Sequence, residues 1–181
     1  MLSLVDKIVE LHRALGEAEV PHGFGGALAL AWCTEQARGT IDIDVNIFLD
    51  QTKIDDVLTA LPAEIKVDAP ARAELQRDGQ TRLWWLKTPV DVFFNTTPFH
   101  EDVARRVRVE SFAGEQVPFL ACRDIAVFKA FFNRDKDWTD LKTMAASNTL
   151  DLEAVVGVLA LHLGGDDERI EKLRAIQPTT S

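Results

Sequence analysis

FGGALALAWCTEQARGTIDIDVNIF, residues 24–48, is the stretch that decides the fold. A Gly-Gly pair precedes an apolar run with helical character, and that run leads into a segment in which Asp42 and Asp44 alternate with aliphatic residues. Side chains at positions i and i+2 of a strand point to the same face of its sheet. The pattern therefore predicts a strand over residues 41–48 with both aspartates on one face. Its aliphatic residues would face a core: Ile41, Ile43, Val45 and Ile47.

Asp42 and Asp44 form a candidate metal site. Two carboxylates held side by side repel each other unless a cation lies between them, and Mg²⁺ is bound by one or two carboxylates together with substrate phosphates. Asp91, in the apolar segment VDVFF, would join them if a strand over residues 90–94 lies beside strand 41–48. Three such carboxylates suit a two-metal displacement at phosphorus. The alternative is an amphipathic strand whose solvent-facing side carries two aspartates.

Gly25 and Gly26 are candidates for binding a phosphate. At the start of a helix they would allow close backbone approach and offer free N–H groups. They do not form a P-loop, which needs a Lys-Ser/Thr pair directly after its last glycine, nor a Rossmann fingerprint, which needs a third small residue where Leu28 stands. A Gly-Gly pair alone is usually a tight turn. Followed by a helix and the strand with two aspartates, it is a more specific signal.

The remaining pattern predicts an α/β (α+β) fold, with a mixed sheet flanked by helices and followed by a C-terminal helical bundle. Its 181 residues suit an α/β core over residues 1–122 and a helical region over residues 123–181. The predicted helices cover residues 3–19, 27–37, 52–61 (with Thr52 near the N-cap), 123–132, 137–146, 151–163 and 166–176. The further strands are 81–87 and 90–94, separated by Thr88-Pro89, and two weaker ones around Gly114. Of the adjacent Trp84 and Trp85, one would face the core.

Charge and cysteine content restrict the class of protein. A net charge of −9 argues against a chain that coats nucleic acid, because phosphate contacts need clustered Lys and Arg. It does not exclude an enzyme that handles a nucleotide or an RNA end in a local basic cleft. No apolar run approaches the roughly 20 residues of a membrane span. Cys33 and Cys122 have neither metal-finger nor disulfide-framework spacing, so free thiols and a cytoplasmic location are predicted, and the four histidines are expected to be structural or on the surface.

Two motifs carry a resemblance to a known family. Gly25-Gly26, the helix and Thr40-Ile41-Asp42-Ile43-Asp44-Val45 resemble the signature of the DNA polymerase β-like nucleotidyltransferase superfamily, whose third carboxylate Asp91 matches. RDIAVFKAFFNRDKDWTDL, residues 123–141, resembles the helical motif of the AbiEii-type nucleotidyltransferase toxins of bacterial toxin–antitoxin systems, including the mycobacterial ones. The positions that match this second motif are Lys129, Arg134, Asp137 and Asp140. Arg38 and Thr40 fit the Arg-x-Thr lead-in common in these toxins.

The resemblance implies a nucleotidyltransferase fold and a Mg²⁺-dependent transfer of a nucleoside monophosphate from an NTP such as ATP to an acceptor. It implies that Asp42, Asp44 and Asp91 bind metal and that Asp91 helps to activate the acceptor hydroxyl. The implied catalytic set also contains Lys129 and Asp140. The implied nucleotide-binding set consists of Gly25, Gly26, Arg38, Thr40, Lys129, Arg134 and Asp137.

The acceptor and the partners follow from the resemblance alone. The toxins imply the 3′ end of tRNA as acceptor and an antitoxin protein as partner, with no role for DNA or a membrane. An antibiotic-modifying nucleotidyltransferase would carry the same motifs, and so would a nucleotide-binding module without turnover. From the residues alone, Lys129 could extend from an apolar helix face to solvent. Asp137 and Asp140 could serve only to stabilise a helix N-terminus.

Overall fold

The computed structural model describes residues 2–36 and 39–176. Two units divide the chain: unit 1 consists of residues 1–28 and 39–120, and unit 2 consists of residues 29–38 and 121–181. Unit 2 therefore takes in a segment from the N-terminal part of the chain as well as the C-terminal helices. Among the helices of the described residues, none has both the length and the apolar character that crossing a bilayer would require.

Unit 1 is built on a seven-stranded mixed sheet. Its strands are β1 (His22–Phe24), β2 (Ile43–Asp50), β3 (Ile65–Lys66), β4 (Gln80–Trp85), β5 (Thr88–Asn95), β6 (Arg108–Phe112) and β7 (Glu115–Phe119). The spatial order is β3-β4-β5-β2-β1-β7-β6. β2 runs parallel to β5 and β1 runs parallel to β7, whereas the other neighbours are antiparallel. This mixed sheet, together with the helical C-terminal region, confirms the predicted fold class.

Some helices of unit 1 begin at side-chain caps that the sequence supplies. The helices of this unit are α1 (Leu4–Glu17), α3 (Ile54–Ala60), α4 (Ala69–Asp78) and α5 (Pro98–Ala104), while α2 (Gly26–Thr34) starts in unit 1 and ends in unit 2. Ser3 and Asp6 form a capping box at the start of α1. Thr52 lies next to Lys53, the N-cap residue of α3, as predicted. The Asp50 carboxylate accepts the Thr52 N–H at 2.8 Å and starts a 3₁₀ turn over Gln51–Lys53 ahead of α3.

The strand that carries Asp44 begins later than the sequence pattern predicts. Pairing with β5 starts at Ile43, which lies opposite Val90, so residues 39–42 have no strand assigned. Ile43, Val45 and Ile47 are at most 1% exposed, as predicted. Ile41 is 73% exposed, and its predicted place in the core is wrong because strand alternation does not extend to it.

The β4–β5 hairpin turns at Leu86 and Lys87, not at Thr88-Pro89 as predicted. Trp85 pairs with Thr88, and Leu86 has a φ of +56°. Pro89 is tolerated within β5 because the pairing with β2 starts only at the next residue, so the missing N–H interrupts no bond on that side. Trp85 is fully buried and Trp84 is 48% exposed. This alternation confirms the prediction that one of the two tryptophans faces the core.

Unit 2 consists of four C-terminal helices and the end of α2. The helices are α6 (Cys122–Phe132), α7 (Asp135–Ala146), α8 (Leu152–Leu163) and α9 (Glu168–Arg174). A disulfide joins Cys33 to Cys122, with their Cα atoms 5.5 Å apart. The predicted free thiols are therefore wrong. The two cysteines are 89 residues apart in sequence, and only the fold brings them together.

A histidine pair ties α1 to β1, with His22 buried and His12 half-buried. His22 Nδ1 lies 2.7 Å from the Val20 carbonyl oxygen, and its Nε2 lies 2.9 Å from His12 Nδ1. A carbonyl oxygen only accepts, so Nδ1 of His22 carries the proton, and in the neutral ring Nε2 accepts from His12. Burial lowers the pKa of His22 to about 4. The fold therefore holds this ring neutral at physiological pH.

The free energy of unfolding is expected to fall as the pH is lowered from about 6.5 to about 4. The unfolded chain takes up a proton at His22 near pH 6.5, whereas the folded chain does so only near pH 4. Within that window the unfolded state binds more protons, so acid favours unfolding, by up to ~3 kcal/mol at about 1.36 kcal/mol per pH unit. Urea unfolding at several pH values measures this loss. His22→Gln should reduce this loss to the part contributed by His12, whose pKa burial also lowers, and His162→Gln should keep the loss in full. An equal slope in both variants would contradict the assignment.

Candidate active site

Asp44 and Asp91 are register partners on neighbouring parallel strands of unit 1. Asp44 lies opposite Asp91 in the pairing of β2 with β5. Neighbouring strands are about 4.8 Å apart, and opposed residues point to the same face. The condition set by the sequence, that the strand of Asp91 lies beside the strand of Asp44, is therefore met. On the other face of these strands, Val45, Val90 and Val92 are fully buried.

Asp42 lies one residue before β2 and is held by Thr40. The Thr40 hydroxyl oxygen accepts the Asp42 N–H at 3.2 Å and donates to the Asp42 carbonyl oxygen at 3.3 Å. This short side-chain-to-backbone loop fixes the backbone of Asp42 where no strand pairing does. The side chain of Asp42 is 32% exposed, and that of Asp91 is 19% exposed. Both carboxylates are therefore accessible from solvent.

Arg82 joins two of the three carboxylates, and sequence reasoning missed it. Its Nε and Nη2 donate to the two carboxylate oxygens of Asp91, each at 2.7 Å, which is a bidentate pair. The same Nη2 lies 3.3 Å from Asp42 Oδ2. β4 brings Arg82 there because it pairs with Asp91 across the hairpin. Leu86-Lys87 contains no Asn, Asp or Gly, the residues that mark a two-residue hairpin turn, so no local signal predicts this register.

The electrostatics of the cluster favour the positive charge of Arg82. Its pKa is raised above the usual value, first by the hydrogen bonds to Asp91 and then by the charges of Asp91, Asp42 and Asp44. The side chain of Arg82 is nevertheless 47% exposed. A guanidinium with this exposure can leave the carboxylates without passing through the core.

The chemistry of the three carboxylates fits a hard divalent cation, but their present arrangement serves Arg82. Asp42, Asp44 and Asp91 offer only oxygen ligands, the type that Mg²⁺ prefers. Over residues 2–36 and 39–176, no three His, Cys, Asp or Glu side chains are grouped so that they could hold a metal ion. The guanidinium lies between Asp91 and Asp42 instead. A cation could use these ligands only after that guanidinium has moved.

Gly25 and Gly26 let the backbone pass directly against Asp44. Gly26 has a φ of +57°, and a Cβ atom there would lie 1.9 Å from Asp44 Oδ2. A Cβ atom on Gly25 would lie 3.1 Å from Asn46 Nδ2. The Gly25 N–H donates to the Asp44 carbonyl oxygen at 2.9 Å, so the expectation that this N–H is free for a phosphate is wrong. Gly26 thus makes room for the Asp44 carboxylate, and Gly25 makes room for the Asn46 side chain.

The predicted residues of the helical motif form an ion-pair cluster within unit 2. Lys129 Nζ lies 2.6 Å from Asp140 Oδ2 and 3.5 Å from Asp137 Oδ1. Asp137 also accepts from Arg134, through Nε at 2.6 Å and through the backbone N–H at 3.3 Å. Asp137 is fully buried and Asp140 is 5% exposed, so these charges need each other. Lys129 is thus held by carboxylates and does not extend freely to solvent.

The structure brings the predicted residues together in two groups. Unit 1 holds Asp42, Asp44, Asp91, Thr40 and the two glycines, and unit 2 holds Lys129, Arg134, Asp137 and Asp140. Arg38 lies outside the described residues. The roles of all these residues in binding and catalysis stay predictions.

No protein-family model matches the sequence, and no curated protein matches it. Solved structures do share its fold. An antigenic nucleotidyltransferase-like protein from Paracoccidioides brasiliensis is 15% identical with a TM-score of 0.56, over 95% of this chain and 92% of that one. The antibiotic-resistance factor ANT(2'')-Ia, in complex with adenylyl-2''-tobramycin, is 13% identical with a TM-score of 0.55, over 94% of both chains. In solution the same factor is 14% identical with a TM-score of 0.54, over 94% of this chain and 89% of that one. The chain therefore has the fold of these nucleotidyltransferases.

Proposed function

We propose that this chain is a nucleotidyltransferase that moves a nucleoside monophosphate from an NTP to an acceptor hydroxyl in a Mg²⁺-dependent reaction. The observation that carries the proposal is the pairing of Asp44 with Asp91, with Asp42 close enough to share Arg82 with Asp91. Carboxylates held this close repel each other unless cations lie between them, and oxygen ligands of this kind suit Mg²⁺. The nucleotidyltransferase fold of the chain supports this reading.

Asp42, Asp44 and Asp91 are the residues that would hold Mg²⁺. When bound, the cation would neutralise charge on the triphosphate and on the attacking and leaving oxygens. In the reaction the acceptor oxygen forms a bond to the α-phosphorus, the bond from that phosphorus to the β-phosphate oxygen breaks, and pyrophosphate leaves. Asp91 would accept the proton of the acceptor hydroxyl. Thr40 would keep Asp42 in place through its two bonds to the Asp42 backbone.

The glycines and unit 2 supply the remaining proposed roles. Gly25 and Gly26 are proposed to seat the triphosphate beside Asp44, as the resemblance implies. Lys129, Arg134 and Asp137 are proposed to act in nucleotide binding and Asp140 to support Lys129 in catalysis, as the resemblance implies. Asp140 Oδ2 lies 2.6 Å from Lys129 Nζ and would hold that ammonium group in place.

The finer proposal is a toxin that modifies the 3′ end of tRNA and is held in check by an antitoxin. It rests on the resemblance of residues 123–141 alone. A cytoplasmic location goes with it, since NTP and tRNA are found there. A second candidate acceptor is a cationic antibiotic. The net charge of −9 favours that class over RNA, because a negative surface attracts cations and repels phosphates.

Label transfer tests the proposal and separates the acceptors. The protein is incubated with Mg²⁺, with each NTP labelled at the α-phosphate, and with either total RNA or a panel of aminoglycosides. Label on RNA is expected for the toxin, and label on the drug is expected for an antibiotic-modifying enzyme. Addition of EDTA should stop either transfer. Label that moves from the γ-phosphate but not from the α-phosphate would mean kinase-like chemistry and would refute nucleotidyl transfer.

A further inference from the structure

Arg82 places its positive charge beside Asp91 and Asp42. The bidentate pair with Asp91 and the 3.3 Å contact with Asp42 neutralise part of the carboxylate charge. These are the carboxylates that the proposed function assigns to Mg²⁺. A carboxylate whose two oxygens both accept from one guanidinium has given its strongest acceptor positions to that partner. Arg82 and a divalent cation therefore compete for the same oxygens.

We propose that Arg82 is the resident counter-cation of the carboxylate cluster and that it must release Asp91 and Asp42 before a divalent cation can bind. The identity of the cation rests on the proposed function. The competition between Arg82 and a cation rests on the contacts that the structure shows. Arg82 comes from β4, whereas Asp44 and Asp91 come from β2 and β5, so its side chain can swing away while the strands stay paired. Its 47% exposure leaves room for that movement.

Phosphate supplies the partner that Arg82 needs after release. A planar guanidinium binds phosphate oxygens in the same bidentate manner as carboxylate oxygens. A nucleotide that enters with its cation brings phosphate oxygens to which Arg82 can bind. The carboxylates that Arg82 releases can then bind the cation. The affinity of the free protein for a divalent cation is therefore held down by Arg82, and an NTP removes that restraint.

Direct binding of Mn²⁺ to the NTP-free protein tests this inference without any turnover. Mn²⁺ is a paramagnetic substitute for Mg²⁺, and its free concentration is read by electron paramagnetic resonance. We expect Arg82→Gln to bind Mn²⁺ at least about tenfold more tightly than the natural chain, because no charge-assisted pair has to be broken first. Arg82→Lys keeps the charge but loses the bidentate geometry, and its affinity should lie between the two.

Arg77→Gln is the matched control. Arg77 also belongs to unit 1 and also forms a two-nitrogen pair with a carboxylate, but its partner is the neighbouring Asp78. Its removal changes the net charge by the same amount and should leave Mn²⁺ affinity unchanged. A tenfold gain in both variants would show a general charge effect and would overturn the inference.

Thermal unfolding separates competition from a merely structural role of Arg82. In EDTA, Arg82→Gln should unfold at a lower temperature than the natural chain, because the carboxylates lose their counter-charge. Saturating Mn²⁺ should close that gap. If Arg82→Gln stays destabilised at every Mn²⁺ concentration and its Mn²⁺ affinity is unchanged or weaker, Arg82 is a structural residue and the inference is wrong. Should Arg82→Gln fail to fold, the Arg82→Lys affinity decides alone.

The two proposals fail in different ways. A tenfold gain in Mn²⁺ affinity without any transfer of α-labelled nucleotide would support the competition and refute the transferase. Transfer with unchanged Mn²⁺ affinity in Arg82→Gln would support the transferase and refute the competition. If neither the natural chain nor Arg82→Gln binds Mn²⁺, the competition is refuted whatever the result of the transfer assay.

Discussion

Asp44→Asn is expected to lower nucleotidyl transfer by at least about a thousandfold while the chain stays folded. Asparagine has nearly the same shape as aspartate, so the close contact with Gly26 is kept and only the negative charge is lost. A bound cation contributes several kcal/mol of transition-state stabilisation, and a thousandfold loss corresponds to about 4 kcal/mol. The initial rate of transfer from α-labelled NTP at saturating Mg²⁺ measures the effect, and circular dichroism checks the fold.

Asp50→Asn is the matched control for Asp44→Asn. Asp50 ends the same strand and is exposed, and its carboxylate caps the turn at Thr52. The same change of charge on the same strand should leave the transfer rate close to that of the natural chain. If Asp44→Asn transfers nucleotide at a near-natural rate, the metal assignment of Asp44 is wrong. If Asp50→Asn is equally inactive, the loss reflects net charge and not the site.

Asp91→Asn tests the same cluster from its other side, because Asp91 is also the carboxylate that Arg82 pairs with. In the NTP-free protein this change has two opposite effects on the affinity for a divalent cation. The cluster loses a ligand for the cation, and Arg82 loses its bidentate partner. The transfer rates of Asp91→Asn and Asp44→Asn are therefore compared. Equal losses would show that Asp91, which pairs with Arg82, contributes as much to transfer as Asp44.

The period-two pattern of the sequence was sufficient to find the faces of the central strands. Alternation places Val45 in the core and Asp44 on the opposite face, and it also predicts that one of Trp84 and Trp85 is buried. The same pattern failed at Ile41. Alternation holds only where strand pairing fixes the backbone, and pairing begins at Ile43. The sequence pattern does not show where the partner strand starts.

The contacts of Arg82 and the disulfide could be identified only from the folded structure. Arg82 reaches Asp91 because of the hairpin register, and a turn placed at Thr88-Pro89 hides that pairing. Cys33 and Cys122 are 89 residues apart, and no local signal joins the end of α2 to the start of α6. The disulfide joins distant segments, whereas Arg82 and Asp91 are only 9 residues apart and meet across one hairpin. Periodicity and spacing predict neither a contact between distant segments nor the register of a hairpin whose turn residues carry no turn signal.

Gly26→Ala is expected to lower both the stability and the activity of the chain. The new Cβ atom would lie 1.9 Å from Asp44 Oδ2 and 2.5 Å from its Cγ, so either the carboxylate or the backbone has to move. A left-handed backbone costs a residue with a side chain about 1–2 kcal/mol, and overpacking costs about 1–3 kcal/mol. We therefore expect the free energy of unfolding to fall by ~2–5 kcal/mol. Transfer should be nearly lost, because the carboxylate that would move is Asp44; urea unfolding and the α-label assay measure the two effects.

Gly16→Ala is the matched control for Gly26→Ala. Gly16 lies in α1, and a Cβ atom there meets nothing within 4 Å. Alanine in a helix is favoured over glycine by about 0.5–1 kcal/mol, so this variant should be as stable as the natural chain or slightly more stable, with unchanged transfer. If Gly26→Ala unfolds at the natural urea concentration and transfers nucleotide at the natural rate, the close approach to Asp44 is not required.

A double variant separates the two causes of the Gly26→Ala effect. Asp44→Ala removes the atoms at 1.9 and 2.5 Å and leaves the Asp44 Cβ at 3.1 Å, a contact that a small shift can accommodate. Gly26→Ala combined with Asp44→Ala should therefore regain the overpacking part of the lost stability, about 1–3 kcal/mol, but not the part due to the left-handed backbone. Such a coupling between the two positions is expected only for residues in direct contact. Transfer should stay absent in the double variant, because relief of the contact cannot replace the lost carboxylate. Recovery of transfer together with stability would show that Asp44 acts only through packing.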